Sequence, residues 1–180
     1  MAGTGKTRKT YEIALTGVFL ALSVVVLFFS SIVPGIELSL LAISGVMIMI
    51  VVHETSIKRG IVFFTASLLL SFLIIPNKSI LMLYGFVFGP YTLKKVFIER
   101  YFKNKILEYI LKLIVFNILL GLGYLIFKGA FFSSIELPGF AWYIVLVSAQ
   151  IMLVLYDYIL TLIIRFYDRV IPAGVRGERQ

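Results

Sequence analysis

The chain carries few residues that could make or break covalent bonds. His53 is the only histidine among 180 residues, and cysteine is absent. A zinc site of the H-E-x-x-H type, a histidine dyad, a thiolate nucleophile and a disulfide framework are therefore excluded. His53 and Glu54 close an apolar run, where a solvated helix end explains them, and no apolar run carries carboxylates paired as acid and base. The sequence predicts a protein that is not an enzyme and has no metal or cofactor.

One short motif resembles a nucleotide-binding element. Residues 2–7 read AGTGKT, like the end of a phosphate-binding P-loop. That loop also needs an earlier glycine, a preceding strand and a following helix, and the chain starts too late for them. We expect instead a basic cytoplasmic tail over residues 1–12.

Ionisable and amide side chains occur inside two of the apolar runs. Such groups are costly in a bilayer and usually face the protein interior. Counted from the inner ends, Lys112 lies ~7 Å deep and Asp157 ~12 Å deep at the helical rise, a difference that a lysine stem can cover. We predict an Asp157–Lys112 ion pair within a buried polar cluster. The cluster comprises Lys112, Asn117, Gln150 and Asp157.

Three roles are open for this cluster. The ordinary one is a structural clamp between two helices. A proton or ion relay is the second, although relays generally need several titratable groups along one path. Alternatively, Glu108 and Lys112, four residues apart, pair along their own helix.

Small residues recur at four-residue spacing in three of the apolar runs. Close approach of helix backbones in a membrane depends on such residues, so they mark either internal packing or a docking surface. The pairs are Gly17 with Ala21 (and Ala14 on the same face), Ser67 with Ser71, and Gly85 with Gly89.

Polar and aromatic residues near the opposite ends of the runs suggest a cavity open to the outside. Each of them is individually ordinary as a wall residue or as part of an interfacial aromatic belt. The candidates are Glu37, Asn77, Tyr84, Tyr124 and Trp142.

The elements that must position these residues are membrane helices. The chain is 61% hydrophobic and 14% charged, whereas soluble domains are about half apolar and a quarter charged. Six apolar runs predict an all-α bundle of six transmembrane helices, a single domain over residues 13–164 that precedes a basic cytoplasmic tail, 165–180. The runs are residues 13–33, 38–52, 60–75, 80–93, 106–127 and 140–164.

The fourth run meets the densest charge cluster of the chain. It breaks at Gly89 and Pro90, and we expect Pro90 to limit the helix. The run is short unless Lys94 and Lys95 snorkel towards the surface. Residues 94–105 are predicted to form a charged inner loop that faces lipid headgroups.

The basic residues indicate the orientation. In a six-span arrangement, most of the 17 lysines and arginines lie on the side of the N-terminus. The exceptions are Lys78, Lys112 and Lys128. Basic residues in short loops mark the cytoplasmic side. The prediction is N-in and C-in in the cell membrane, with the net charge of +8 attracted to anionic lipid rather than to nucleic acid.

The layout resembles the substrate-binding S components of energy-coupling factor vitamin transporters. The resemblance lies in the six short spans, in Ala14, Gly17 and Ala21 of the first span, and in residues 33–38, VPGIEL. It implies that the small-residue face docks on a transmembrane coupling subunit energised by ATPases, and that a vitamin-like molecule binds near the outer face. Residues 88–117 are also similar to small bacterial membrane proteins of unassigned function.

Two functions follow as alternatives. The first is the small-molecule-binding subunit of a multi-subunit transporter. The second is a membrane scaffold or assembly factor whose basic inner face recruits a partner. Co-purifying small molecules and proteins would separate the two.

Overall fold

The structure, a computed structural model, describes residues 4–101, 105–131 and 141–170. These residues are almost all helical, and no strand occurs among them, so the all-helical prediction is confirmed for this part of the chain. The helices are α1 (Thr4–Ser30), α2 (Glu37–Glu54), α3 (Ile57–Ile74), α4 (Lys78–Leu83), a π-helical turn (Tyr84–Phe88), α5 (Gly89–Tyr101), α6 (Lys105–Phe131) and α7 (Ala141–Val170). With α4, the π-helical turn and α5 taken as one continuous helix, they correspond to the six predicted runs.

Four of the helices have the length and apolar character of membrane spans. They cover Thr10–Ser30, Glu37–Glu54, Ile57–Ile74 and Val147–Tyr167, each close to the ~20 residues that cross a bilayer. Large apolar side chains on their outer faces are exposed, for example Ile13 at 72% and Leu73 at 80%. These features indicate a multi-pass membrane protein.

The chain divides into two compact units, Met1–Glu136 and Leu137–Gln180. In the first unit, α1 packs on α2 and α3, and α5 packs on α2, α3 and α6. The core of this unit contains Leu41, Ile48, Phe63 and Tyr91, all nearly or fully buried. The second unit contributes α7.

Short polar turns join the first helices. Gly35 adopts a positive φ of 90°, which favours glycine, and its N–H donates to the Glu37 carboxylate at 2.9 Å. Ser56 accepts from the Arg59 N–H and so caps the start of α3. At the other end of α3, the Lys78 ammonium donates to the carbonyls of Phe72 and Ile75. A cation at a helix C-terminus satisfies carbonyls that have no partner within the helix.

Pro90 does not end the fourth helix, contrary to the prediction. It lies in the first turn of α5, which continues to Tyr101. Proline lacks an N–H and its ring clashes with the carbonyl four residues earlier, so an α-helix must deform there. The chain accommodates it with the π-helical turn, in which the Gly89 N–H donates to the Tyr84 carbonyl.

The predicted inner loop over residues 94–105 is also wrong for most of its length. Helix α5 includes Lys94 to Tyr101, while residues 102–104 lie outside the described part of the chain. Lys95 does not face lipid headgroups, because its side chain is fully buried. The density of charge in this segment predicts a connection, because composition alone does not show that a lysine has a partner inside the bundle.

The other helix boundaries differ from those of the predicted apolar runs by a few residues. Helix α1 starts at Thr4, within the predicted tail, and α6 continues to Phe131 rather than to residue 127. Residues 1–3 and 171–180 of the predicted tails lie outside the described residues.

Candidate functional site

The small-residue face of α1 is open. Ala14, Gly17 and Ala21 are all exposed. A Cβ placed on Gly17 would meet no other atom of the described chain within 4 Å. This face therefore takes no part in the packing of the described first unit.

The small residues of the fourth predicted run face α3 instead. A Cβ on Gly89 would lie 2.1 Å from Cε2 of Phe64, and one on Gly85 would lie 3.0 Å from Cδ1 of Leu68. The first distance is far below van der Waals contact, so Gly89 allows the backbone at the start of α5 to approach the Phe64 ring.

An ion pair joins α1 to the first turn of α3. The Arg59 guanidinium contacts the Glu12 carboxylate. The Glu12 side chain is 12% exposed and that of Arg59 is 44% exposed. The pair sets the register of α1 against α3, and so places Lys58 and Arg59 at the same end of the bundle as the start of α1.

A buried charged cluster connects α5 and α6. The ammonium groups of Lys95 and Lys112 both lie 2.7 Å from Oε1 of Glu99. Lys95 is fully buried and Lys112 is 3% exposed, whereas the Glu99 side chain is 32% exposed. Buried ammonium groups need close counter-charges, and one carboxylate serves both here. The Lys112 ammonium also lies 5.7 Å from the centre of the Tyr109 ring.

Glu99 is a partner of Lys112 that the sequence did not predict. The available signal was the four-residue spacing of Lys95 and Glu99 on one helix face. The prediction of a loop over residues 94–105 hides this spacing, because residues four apart are neighbours only on a helix. The alternative partner, Glu108, has a side chain outside those that the structure describes.

The other members of the predicted polar cluster are placed as follows. Asn117 is exposed and donates to the Leu113 carbonyl of its own helix at 2.8 Å. Gln150 and Asp157 belong to α7 of the second unit, where the Asp157 carbonyl accepts from the Thr161 hydroxyl at 2.9 Å. The Asp157–Lys112 pair stays a prediction.

The predicted outer-cavity residues have varied environments. Glu37 and Asn77 accept hydrogen bonds from turn backbone, Glu37 from Gly35 and Asn77 from Ser79. The side chains of Tyr124 and Trp142 lie outside the described ones. The cavity stays a prediction.

Tyr84 is fully buried and has a polar partner in the interior. Its hydroxyl lies 2.9 Å from Oγ of Ser67, and its ring packs at 5.6 Å from that of Phe64. The hydrogen bond joins the π-helical turn to α3. Turns of this kind are frequent at functional sites.

Among the described residues, no group of three or more His, Asp or Glu side chains could hold a metal ion. Comparison with protein-family models, curated proteins and solved structures gives no match. Any functional assignment therefore depends on the open face of α1, the charged cluster and the hydroxyl groups near Tyr84.

Proposed function

We propose that this protein is the small-molecule-binding subunit of a multi-subunit membrane transporter. It docks on a transmembrane coupling subunit through the face of α1 formed by Ala14, Gly17 and Ala21. The coupling subunit is energised by ATPases, and the ligand is a vitamin-like molecule taken from outside. The observation that supports the proposal is the open small-residue face of α1.

Packing against lipid does not favour a glycine at the centre of the face formed by Ala14, Gly17 and Ala21. Glycine costs about 0.5–1 kcal/mol relative to alanine within a helix, and lipid chains pack equally well against larger side chains. A second helix does benefit, because small residues let two backbones approach closely. The open face thus has the chemistry of a helix–helix interface, and in this proposal the second helix belongs to the coupling subunit.

The orientation is part of the proposal. We place both termini in the cytoplasm, because most lysines and arginines belong to one end of the six-span arrangement and such residues mark the cytoplasmic side. The Glu12–Arg59 contact supports a common end for the starts of α1 and α3. A reporter fused to either terminus should be inaccessible from outside intact cells, and labelling from outside would contradict this orientation.

Tagged protein should be purified gently from cells that produce it naturally, and the bound proteins and small molecules identified by mass spectrometry. We expect a membrane subunit, ATPases and one tightly bound small molecule. Gly17→Leu should remove the partner proteins and keep the small molecule, because the substitution changes only the open face. Val62→Leu is the matched control, since Val62 is 67% exposed on α3.

Two results would contradict the proposal. Retention of the partner complex by Gly17→Leu would exclude α1 as the docking helix. Co-purification of a non-ATPase partner with no small molecule would support a scaffold or assembly factor instead.

A further inference from the structure

The fourth helix of the bundle, which comprises α4, the π-helical turn and α5, is interrupted in its own hydrogen-bond ladder. The Gly89 N–H, which an α-helix would use for the Gly85 carbonyl, donates to the Tyr84 carbonyl instead. The next donor does not exist, because Pro90 has no N–H for the Phe86 carbonyl. Neither Gly85 nor Phe86 therefore receives its α-helical donor, and fewer backbone bonds join α4 to α5 than a regular helix has.

The half of this helix that follows the interruption is fixed to its neighbours. Tyr91 is 1% exposed and Lys95 is fully buried. The Tyr91 ring packs edge-on against the ring of Phe116 in α6, with 6.0 Å between the ring centres. Glu99 contacts the Lys112 ammonium of α6 at 2.7 Å, and α5 also packs on α2 and α3. Helix α5 cannot move without breaking these contacts.

The half that precedes the interruption has much less contact with the bundle. In α4, which the structure describes throughout, Leu81 is the one buried residue of six. Its packing against other elements is mainly with α3 and with the π-helical turn. At its start, the exposed Lys78 ammonium donates to the carbonyls of Phe72 and Ile75 at the C-terminus of α3. A single flexible side chain therefore makes the main polar contact between α4 and the end of α3.

The interruption lies where the backbone has room to tilt. Gly85 faces Leu68 of α3, and Gly89 faces Phe64, so the fourth helix runs antiparallel to α3. A Cβ at these two positions would lie 3.0 and 2.1 Å from the facing side chains. Since glycine has no Cβ, no side chain wedges the turn against α3 when the helix axis bends there.

We propose that the π-helical turn is a hinge about which α4 bends while α5 stays fixed, and that Lys78 is the latch of this hinge. Prolines and π-helical turns are the usual places at which helices bend sharply. The short connection over residues 75–77 keeps the movement small. Ser79 is ~9 Å from Gly85 along the helix, so a bend of ~20° moves it by ~3 Å.

The hinge goes beyond the proposed transport function and does not depend on it. The start of α4 lies at the end of the bundle opposite the Glu12–Arg59 contact, since α3 runs from Arg59 towards Lys78. In the proposed orientation this is the outer side, from which the ligand enters. A role for α4 as a gate for the ligand, but not the hinge itself, rests on the proposed function.

The test is a pair of distance measurements. Cysteine is absent from the sequence, so introduced cysteines can carry spin labels at chosen positions. Labels on Ser79→Cys and Val62→Cys (the α4 pair) report α4 against α3. Labels on Phe97→Cys and Leu73→Cys (the α5 pair) report α5 against α3. Val62, Phe97 and Leu73 are 67%, 48% and 80% exposed. Each labelled protein should keep the Tm of the wild type.

Pulsed electron paramagnetic resonance of the purified protein gives both distance distributions. The distribution of the α4 pair should be broader than that of the α5 pair by ~3 Å, the displacement that a bend of ~20° produces. Pro90→Ala supplies the missing N–H, so it should narrow the α4 pair to the width of the α5 pair. Lys78→Met removes the latch and should broaden the α4 pair further. Neither substitution should change the α5 pair.

Three results would overturn the hinge and its latch. The first is an α4 pair as narrow as the α5 pair in the wild type. The second is a broad α4 pair that Pro90→Ala leaves unchanged, because the movement would then not arise from the missing hydrogen bond. The third is an α4 pair that Lys78→Met does not affect. These distances are measured without ligand or partner, so a failure of the transport proposal would leave them unchanged.

Discussion

Two small-residue motifs of the same spacing have opposite environments in this molecule. Gly17 and Ala21 lie on an open face of α1, while Gly85 and Gly89 face the side chains of α3. Their local sequences are alike, with four-residue spacing inside an apolar helix. The difference shows that such a motif marks a capacity for close backbone approach, and that the rest of the fold decides whether another helix of the first unit packs against it.

The π-helical turn and α5, which contain Gly85 and Gly89, also carry polar contacts inside the first unit. The π-helical turn and α5 carry Tyr84 and Lys95, both fully buried. Each has a specific partner, Ser67 for Tyr84 and Glu99 for Lys95. We therefore expect substitutions on the closed side to change stability and substitutions on the open face to change binding.

The largest effect is expected from Gly89→Leu. A side chain there must displace the Phe64 ring, which already packs on Tyr84. We expect a loss of about 3 kcal/mol or more in the free energy of unfolding, as for severe overpacking of a core. Thermal unfolding in detergent measures it, and Phe64→Ala should partly restore stability. A stable Gly89→Leu protein would break the comparison, because both glycines would then be open.

Glu99→Gln should have the next largest effect. It removes the carboxylate that both buried lysines share. Breaking a fully buried ion pair costs 3–5 kcal/mol, and since Glu99 is one-third exposed we expect about 2 kcal/mol. A double-mutant cycle with Lys112→Met measures the coupling, which should be at least 0.5 kcal/mol. Strictly additive losses would show that the charges act independently.

Tyr84→Phe should cost about 1 kcal/mol, the usual net value of one hydrogen bond. The loss is small because Ser67 keeps its own bond to the Phe64 carbonyl. Chemical or thermal unfolding of the purified variant measures it. Combining it with Ser67→Ala should add little, whereas a full second loss would show that the two hydroxyls are not partners.

The smallest effect on stability is expected from Gly17→Ala, at most about 1 kcal/mol and in the stabilising direction, because alanine favours the helix. No atom of the described chain lies near the added methyl group. The same unfolding measurement checks the sign, and Gly89→Ala provides the matched comparison with a loss. Destabilisation by Gly17→Ala would show that this face packs within the protein.

Much of the fold was predictable because it depends on local composition. The apolar runs locate α2 and α3 to within a few residues, since these helices are long and bounded by Pro34, Glu54, Pro76 and Asn77. The fourth helix was not predictable in the same way. Its continuation past Pro90 depends on the π-helical turn. Its charged end is stabilised by contacts of Glu99 with Lys95 in α5 and with Lys112 in α6.

The sequence by itself determined that this is an all-helical chain with membrane-spanning character, because long uncharged apolar runs have few other stable arrangements. It also located Gly17, Gly89, Tyr84 and Lys112 as residues of interest, but not Glu99, the partner of Lys112. Only the tertiary structure decided which of these face outward and which have partners inside. Exposure and hydrogen bonding are properties of pairs of elements, and residues such as Ser67 and Tyr84 meet only when the helices pack.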